Sequence, residues 1–268
     1  KAGNIISPNP NTIAVSEAFK VDLTSLMMKN FISAICAVVV TILLSTMLSK
    51  KQGVQVTEND LEQKEDKNLP SFIQAVAGPV VVVILLALRP VASIVIDPLI
   101  ALPVGGVVCA LACGQIKNIR EYAEFGLGKV VGVSVLLIGT GTIAGIIKAS
   151  ALQYDVVHIL KMANMPAFLL APIAGILMAG ATASTTAGAT IGAQTFAGTL
   201  IKSGVSALSA GAMVHAGATV IDSLPHGSFF HATGGAAGLE IKERMKLIPY
   251  EMCVGLTSTV VAVMMYVI

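Results

Sequence analysis

Charge is scarce in this chain: Asp, Glu, Lys and Arg make up 12% of its 268 residues, against about a quarter in ordinary soluble domains. Tryptophan is absent and there are only 4 Tyr and 8 Phe, so any interfacial aromatic belt is thin. A net charge of +2 gives no electrostatic reason to expect a nucleic-acid partner. There is no Walker lysine, no GxSxG and no HExxH, which leaves neither a self-contained ATP-driven pump nor a recognisable enzyme. The four cysteines, Cys36, Cys109, Cys113 and Cys253, each lie in an apolar segment. They read as small buried apolar residues, not as a disulfide framework or a zinc site. His215, His226 and His231 have no ligand spacing, so no metal and no cofactor is expected. The chain begins Lys1-Ala2-Gly3-Asn4 without Met and without a visible signal peptide, which leads to the expectation of a fragment or a processed chain.

What the chain has is apolar surface: 55% of its residues are hydrophobic. A soluble protein of that composition is hard to keep in solution, so the reading is an all-α integral membrane protein with the lipid bilayer as a partner. A span takes about 20 apolar residues. Residues 26–48 and 72–88 qualify, as do 91–113 (with Asp97-Pro98 and Pro103 inside) and 249–268. Residues 49–68 are strongly charged and read as a solvated linker. Residues 130–147, 168–183, 189–201 and 205–221 are shorter or interrupted. Short apolar segments broken by Gly or Pro are the sequence sign of discontinuous helices in secondary transporters, and such breaks must be buried or line a cavity.

Four places carry polar chemistry inside or beside these segments. Ser7-Pro8-Asn9-Pro10-Asn11-Thr12 cannot be a regular helix, and a helix start at Ile13 would offer free amides to a carboxylate. The plain alternative is an ordinary loop and cap. Gly139-Thr140-Gly141-Thr142 is followed by Gly145, a spacing that does not fit a dinucleotide loop. It reads as a hairpin or break within the membrane, with a tight helix contact as the alternative. Gly180 to Gly188 (Gly-Ala-Thr-Ala-Ser-Thr-Thr-Ala-Gly) supplies the hydroxyls of Thr182, Ser184, Thr185 and Thr186. It either breaks a helix and presents these to a solute, or packs two helices closely. Asp222, ending an apolar segment, is costly there and a candidate proton carrier, with His226 as its outer partner. The alternative is a snorkelling acid at the membrane edge. His215, within an apolar helix, reads as a satisfied contact residue ahead of a proton carrier.

Taken in order, these stretches resemble the gluconate permease (GntP-type) family of the wider ion-transporter superfamily. Residues 135–150 (Val-Leu-Leu-Ile-Gly-Thr-Gly-Thr-Ile-Ala-Gly-Ile-Ile-Lys-Ala-Ser) are similar to its Gly-rich segment, and the run from Gly180 to its Gly-Ser-Ala-Thr segment. Thr219 to Leu224 is similar to its Thr-Asp-Ser-Leu stretch, and Ser7 to Ala14 resembles its Pro-rich motif. The resemblance implies a bacterial inner-membrane secondary transporter with two inverted repeats, each with a re-entrant hairpin and a broken helix. This chain would be about the C-terminal 60% of a typical member. Residues 1–48 would then end the first repeat, 49–69 link the two, and 70–268 form the second. That second repeat would carry a hairpin near 134–148, a broken helix near 180–192 and a last span at 249–268.

Family substrates are small hydroxylated carboxylates, often imported with a proton. The expected function is therefore proton symport of a small organic anion, held by Ser7, Asn9, Asn11, Thr12, Gly139, Thr140, Gly141, Thr142, Thr182, Ser184, Thr185 and Thr186 through amides and hydroxyls, with no fixed positive side chain. Asp222 and His226 would couple the proton. The motif at Ser7 departs from the family's His-Pro-Gly-Pro type, and the segment after Asp222 reads Pro-His-Gly-Ser-Phe-Phe-His, so carboxylates other than gluconate stay open. Sodium coupling, an ion antiporter and a non-transporting membrane subunit are the alternatives. A homo-oligomer is also open.

Overall fold

A computed structural model describes residues 1–52, 69–92, 94, 96–162 and 164–268. All regular elements among them are helices: α1 Ala2–Ile6, α2 Pro10–Phe19, α3 Leu23–Lys29, α4 Phe31–Gln52, α5 Phe72–Ala92, α6 Pro98–Ala112, α7 Ile119–Ala149, α8 Leu152–Met162, α9 Leu170–Thr182, α10 Thr185–Lys202, α11 Ala207–Gly217, α12 Ser228–Ala236 and α13 Ile241–Val267. Most of the linker read at 49–69 lies outside the described residues.

Two described helices are long and apolar enough to cross a bilayer alone, Phe31–Lys50 and Ile241–Val267. Phe72–Leu88, Pro98–Ala112 and Ala167–Thr182 are shorter apolar helices. The faces of α4 explain the composition. Asn30, Ser33, Ala34 and Ala37 are buried, while Phe31, Ile32, Ile35, Val38, Val39, Ile42 and Leu43 are exposed. A contiguous exposed apolar stripe of that kind suits lipid and not water. The buried side of the helix is made of small residues, as in helices that associate within membranes.

Several boundaries differ from the sequence expectation. The span expected from Leu26 is interrupted: α3 ends at Lys29, Asn30 caps it, and α4 starts at Phe31. The segment expected to run from Val91 to Cys113 as one span is split, because Asp97 is the N-cap of α6, its carboxylate accepting from the Leu99 amide at 2.8 Å. The last helix starts at Ile241, well upstream of Pro249, because Glu240 and Glu243 form a reciprocal capping box there. The largest difference is at 134–148. No hairpin occurs, since α7 is continuous from Ile119 to Ala149. The segment has no proline, and the Thr142 hydroxyl donates to the Ile138 carbonyl at 3.1 Å, within the helix.

The chain divides into two compact units. One comprises Lys1–Met47 with Ser134–Ile268, the other Leu48–Val133. In the second, α5 and α6 pack closely, and a Cβ on Gly78 would meet the Gly105 carbonyl at 2.8 Å. In the first, α2 packs along α10, α9 packs on α10 and α11, and α11 packs on α13. Its core runs through Val15, Phe19 and Leu26 to Phe196, Leu200, Met213, Val214 and Ala262. Residues 1–47 thus fold against 134–268 and do not form a separate body.

Candidate functional site

Two helix interruptions meet in the first unit. Pro8 and Pro10 stop α1 and start α2, with Pro10 in the first turn where its missing N–H costs nothing. Asn9 is the N-cap, and its side-chain oxygen accepts from the amides of Asn11 and Thr12 at 2.9 and 3.1 Å. The Asn9 amide group donates to the Asn4 carbonyl and the Ser7 hydroxyl, each at 2.8 Å. The Ser7 hydroxyl donates to Gly3, and that of Thr12 to the Ser7 carbonyl at 2.8 Å. This helix start is therefore closed by its own side chains. The amides expected there for a carboxylate are largely taken.

The second interruption is at Ala183 and Ser184. Ala183 ends α9 with φ +47°, a left-handed conformation that favours glycine, and Ser184 caps α10, its hydroxyl accepting from the Ala187 amide at 3.2 Å. Thr182 donates back to the Met178 carbonyl at 2.8 Å. The chain reverses here. A Cβ on Gly188 would meet the Ala179 Cα at 2.4 Å, so α10 returns against α9 with its backbone almost touching. The packing reading of the Gly180–Gly188 run holds at Gly188, while Thr185 and Thr186 face polar partners within the protein.

Those partners come from far away in sequence. Thr186 donates to Asn11 Oδ1 at 2.6 Å, and Thr185 donates to Asp222 Oδ2 at 2.6 Å. The Asn4 side-chain amide reaches the Thr185 hydroxyl at 3.3 Å. Asp222 lies in the loop between α11 and α12, buried to 5% exposure. A Cβ on Gly227 would strike the Ala183 carbonyl at 2.3 Å, so this loop sits directly on the α9–α10 turn. Asp222 Oδ1 accepts from the Ser223 hydroxyl at 3.0 Å and pairs with the Lys1 ammonium. Lys1 also donates to the Thr219 carbonyl. Thr219 in turn meets Ser258 of α13 at 3.2 Å.

The cluster contains a positive side chain, Lys1, which the sequence expectation did not include. Lys1 and Asn4 were missed because nothing local marks them; each becomes a site residue only through partners some two hundred residues away. His226 is exposed and makes no hydrogen bond to Asp222. Gly139 to Thr142 are carried on the continuous α7, where Thr140 is buried and Gly139 exposed. His215 is fully buried, and neither ring nitrogen has a hydrogen-bond partner among the described residues, so it is not the satisfied contact residue expected. Cys253 is exposed, not buried.

Residues 2–102 match the model of the GntP family permeases, and residues 74–165 match that of the Na+-H+ antiporter family. The chain is thus similar to the GntP permeases over its first part and to the Na+-H+ antiporter family over a middle part; of the stretches that carried the resemblance, Ser7 to Ala14 lies within the match over 2–102. An uncharacterized transporter of Haemophilus influenzae is 49% identical over 266 residues, 99% of this chain and 63% of that protein. The chain therefore spans less than two thirds of the length of that relative. No solved structure matches it.

Proposed function

We propose that the protein is a multi-pass permease of the bacterial inner membrane that imports a small hydroxylated carboxylate with a proton. The observation that carries this reading is the buried Asp222 carboxylate, held by the Thr185 and Ser223 hydroxyls and Lys1 where the start of α10 meets the start of α2. An acid within an apolar protein is costly unless it is paired or functional. The Thr185 and Ser223 hydroxyls around it are donors that suit a hydroxylated anion. In this reading the anion lies between the interruption at Ser7, Asn9, Asn11 and Thr12 and that at Thr182, Ser184, Thr185 and Thr186, with Gly139–Thr142 of α7 as a further wall. Asp222 carries the proton, and the exposed His226 exchanges it with solvent.

The experiment is uptake of labelled gluconate and smaller hydroxy acids by the full-length protein in proteoliposomes, under an imposed inward proton gradient. Accumulation is expected to collapse when that gradient is removed. Uptake that follows sodium and ignores pH would replace the proton by sodium. A cation-coupled or antiport reading is favoured by the match at 74–165. Against it, Asp97, the other acid considered for a buried pair, is exposed and spent as a helix cap.

A further inference from the structure

We infer that Lys1 is the cation that receives the substrate carboxylate, and that Asp222 holds it in reserve until a proton neutralises the acid. This rests on the carboxylate reading above and names the group within that site that recognises the anion. The donors gathered on Asp222 are those a bound carboxylate would require: an ammonium and a hydroxyl on Oδ1, and a second hydroxyl on Oδ2. The Asp222 side chain therefore occupies the place of a ligand. Both partners of the ion pair are secluded, with side chains 10% and 6% exposed.

A secluded ammonium that loses its counter-ion is left in an unfavourable state. When a proton joins the Asp222 carboxylate, Lys1 keeps its charge and needs another anion. A monocarboxylate supplies it, and the Thr185 hydroxyl, no longer bound to a carboxylate, turns to the same ligand. The charge of the cluster is the same in both states: lysine with aspartate before, and lysine, aspartic acid and a bound monoanion after. One proton and one monoanion enter together, and the step is electroneutral. Of the other charges about this loop, the α-ammonium of Lys1 lies within electrostatic reach of Asp222 and Glu251. From α13, Arg244 is closed on Glu251 by two bonds of 3.1 and 2.9 Å. On the loop itself His226 is exposed, and His231 of α12 lies against the Pro225 carbonyl at 2.7 Å. No ionisable side chain of α9 or of the first turn of α10 faces it.

The test uses full-length protein in proteoliposomes with labelled gluconate as probe. Lys1→Gln is expected to raise KM about tenfold or more, the loss of one well-formed ionic contact, and to flatten the dependence of KM on pH. Asp222→Asn, which mimics the protonated acid, is expected to keep gluconate exchange across the membrane while abolishing accumulation against a gradient. Should either single variant fail to fold with one charge unpaired, the Lys1→Gln/Asp222→Asn pair leaves none. That pair is expected to bind gluconate weakly and without pH dependence. An unchanged KM in Lys1→Gln, or a KM in the double variant that still follows pH as in the wild type, overturns the assignment of Lys1 and leaves carboxylate transport standing. Wild-type protein inert towards every hydroxy acid overturns the transport reading and this inference with it. Wild-type uptake that responds strongly to membrane potential, with pH gradient held at zero, overturns the electroneutral exchange.

Discussion

The Thr186 hydroxyl donates to Asn11 Oδ1 at 2.6 Å, across 175 residues of sequence. Both residues stand in the first turn of a helix that begins at an interruption, so this one contact holds the two helix starts in register. Removing either partner leaves the other polar group poorly satisfied in a mostly buried place. Asn11→Ala and Thr186→Val are each expected to lower stability, with a coupling energy in the double variant of about 1 kcal/mol, the net value of a buried hydrogen bond. Thermal unfolding of the four proteins in detergent measures it. Additivity of the two single effects would show that the contact carries no energy of its own.

The turn between α9 and α10 combines a good cap with a poor backbone residue. Ser184 accepts from the Ala187 amide, and Ser184→Ala is expected to cost about 1 kcal/mol, the usual loss for such a cap. Ala183 is left-handed, where an alanine is disfavoured by roughly 1–2 kcal/mol. Ala183→Gly is therefore expected to raise the unfolding temperature while Ser184→Ala lowers it. Strain retained beside a buried acid is a feature of functional turns, so the stabilised Ala183→Gly variant is also the one whose uptake rate should be compared with wild type.

These interruptions were visible in the sequence because their signals are local. Pro8 and Pro10 forbid a regular helix whatever surrounds them, and Ala183-Ser184 lies in a run of small and hydroxyl residues. The polar stretch at Gly139–Thr142 carried a similar local signal but met a different outcome. Glycine and threonine only weaken a helix, and without a proline the apolar turns on either side carried α7 through. The polar pair Lys29-Asn30 does mark an interruption near the start of the span at 26–48, but so short a signal does not show that one helix ends there and another begins. Nothing in the residues around Lys1 marks it as a partner of an acid. Only the fold, by bringing the α11–α12 loop onto the α9–α10 turn, places Asp222 within its reach.

Two glycines of similar local sequence should behave oppositely. A Cβ at Gly188 would press on the Ala179 backbone, at 2.4 Å from its Cα and 2.5 Å from its nitrogen, whereas a Cβ at Gly145 meets nothing within 4 Å. Gly188→Ala is expected to destabilise by about 1–3 kcal/mol, as overpacking does. Gly145→Ala is expected to be neutral or to stabilise by up to about 1 kcal/mol, from helix propensity alone. Equal effects at the two positions, read from unfolding midpoints, would contradict the continuous α7.

Arg244 anchors α12 to α13. Its guanidinium holds Glu251 by two hydrogen bonds and the Thr233 hydroxyl by a third at 3.0 Å, with the Phe230 ring 5.1 Å away. The side chain is nearly inaccessible at 2% exposure. Glu251→Leu strands that charge and is expected to destabilise by about 3–5 kcal/mol, whereas exchanging both partners for apolar residues costs far less. The Glu251→Leu/Arg244→Met double variant should therefore unfold at a higher temperature than Glu251→Leu alone, and its gluconate KM should stay at the wild-type value because neither residue touches Asp222.

His226 and Asp222 share one loop but not one environment: the imidazole is exposed, and the carboxylate is buried among Lys1, Thr185 and Ser223. If His226 only passes protons between solvent and the loop, His226→Gln leaves the anion site intact. Proton-driven uptake is then expected to slow by less than about tenfold, a barrier change below about 1.4 kcal/mol, with KM unchanged at every pH. Added small buffers such as imidazole should restore the rate. Asp222→Asn cannot be rescued in that way, because the group lost there is the one that exchanges its charge with the substrate. A His226→Gln variant whose KM rises as it does in Lys1→Gln would instead put the histidine in contact with the anion.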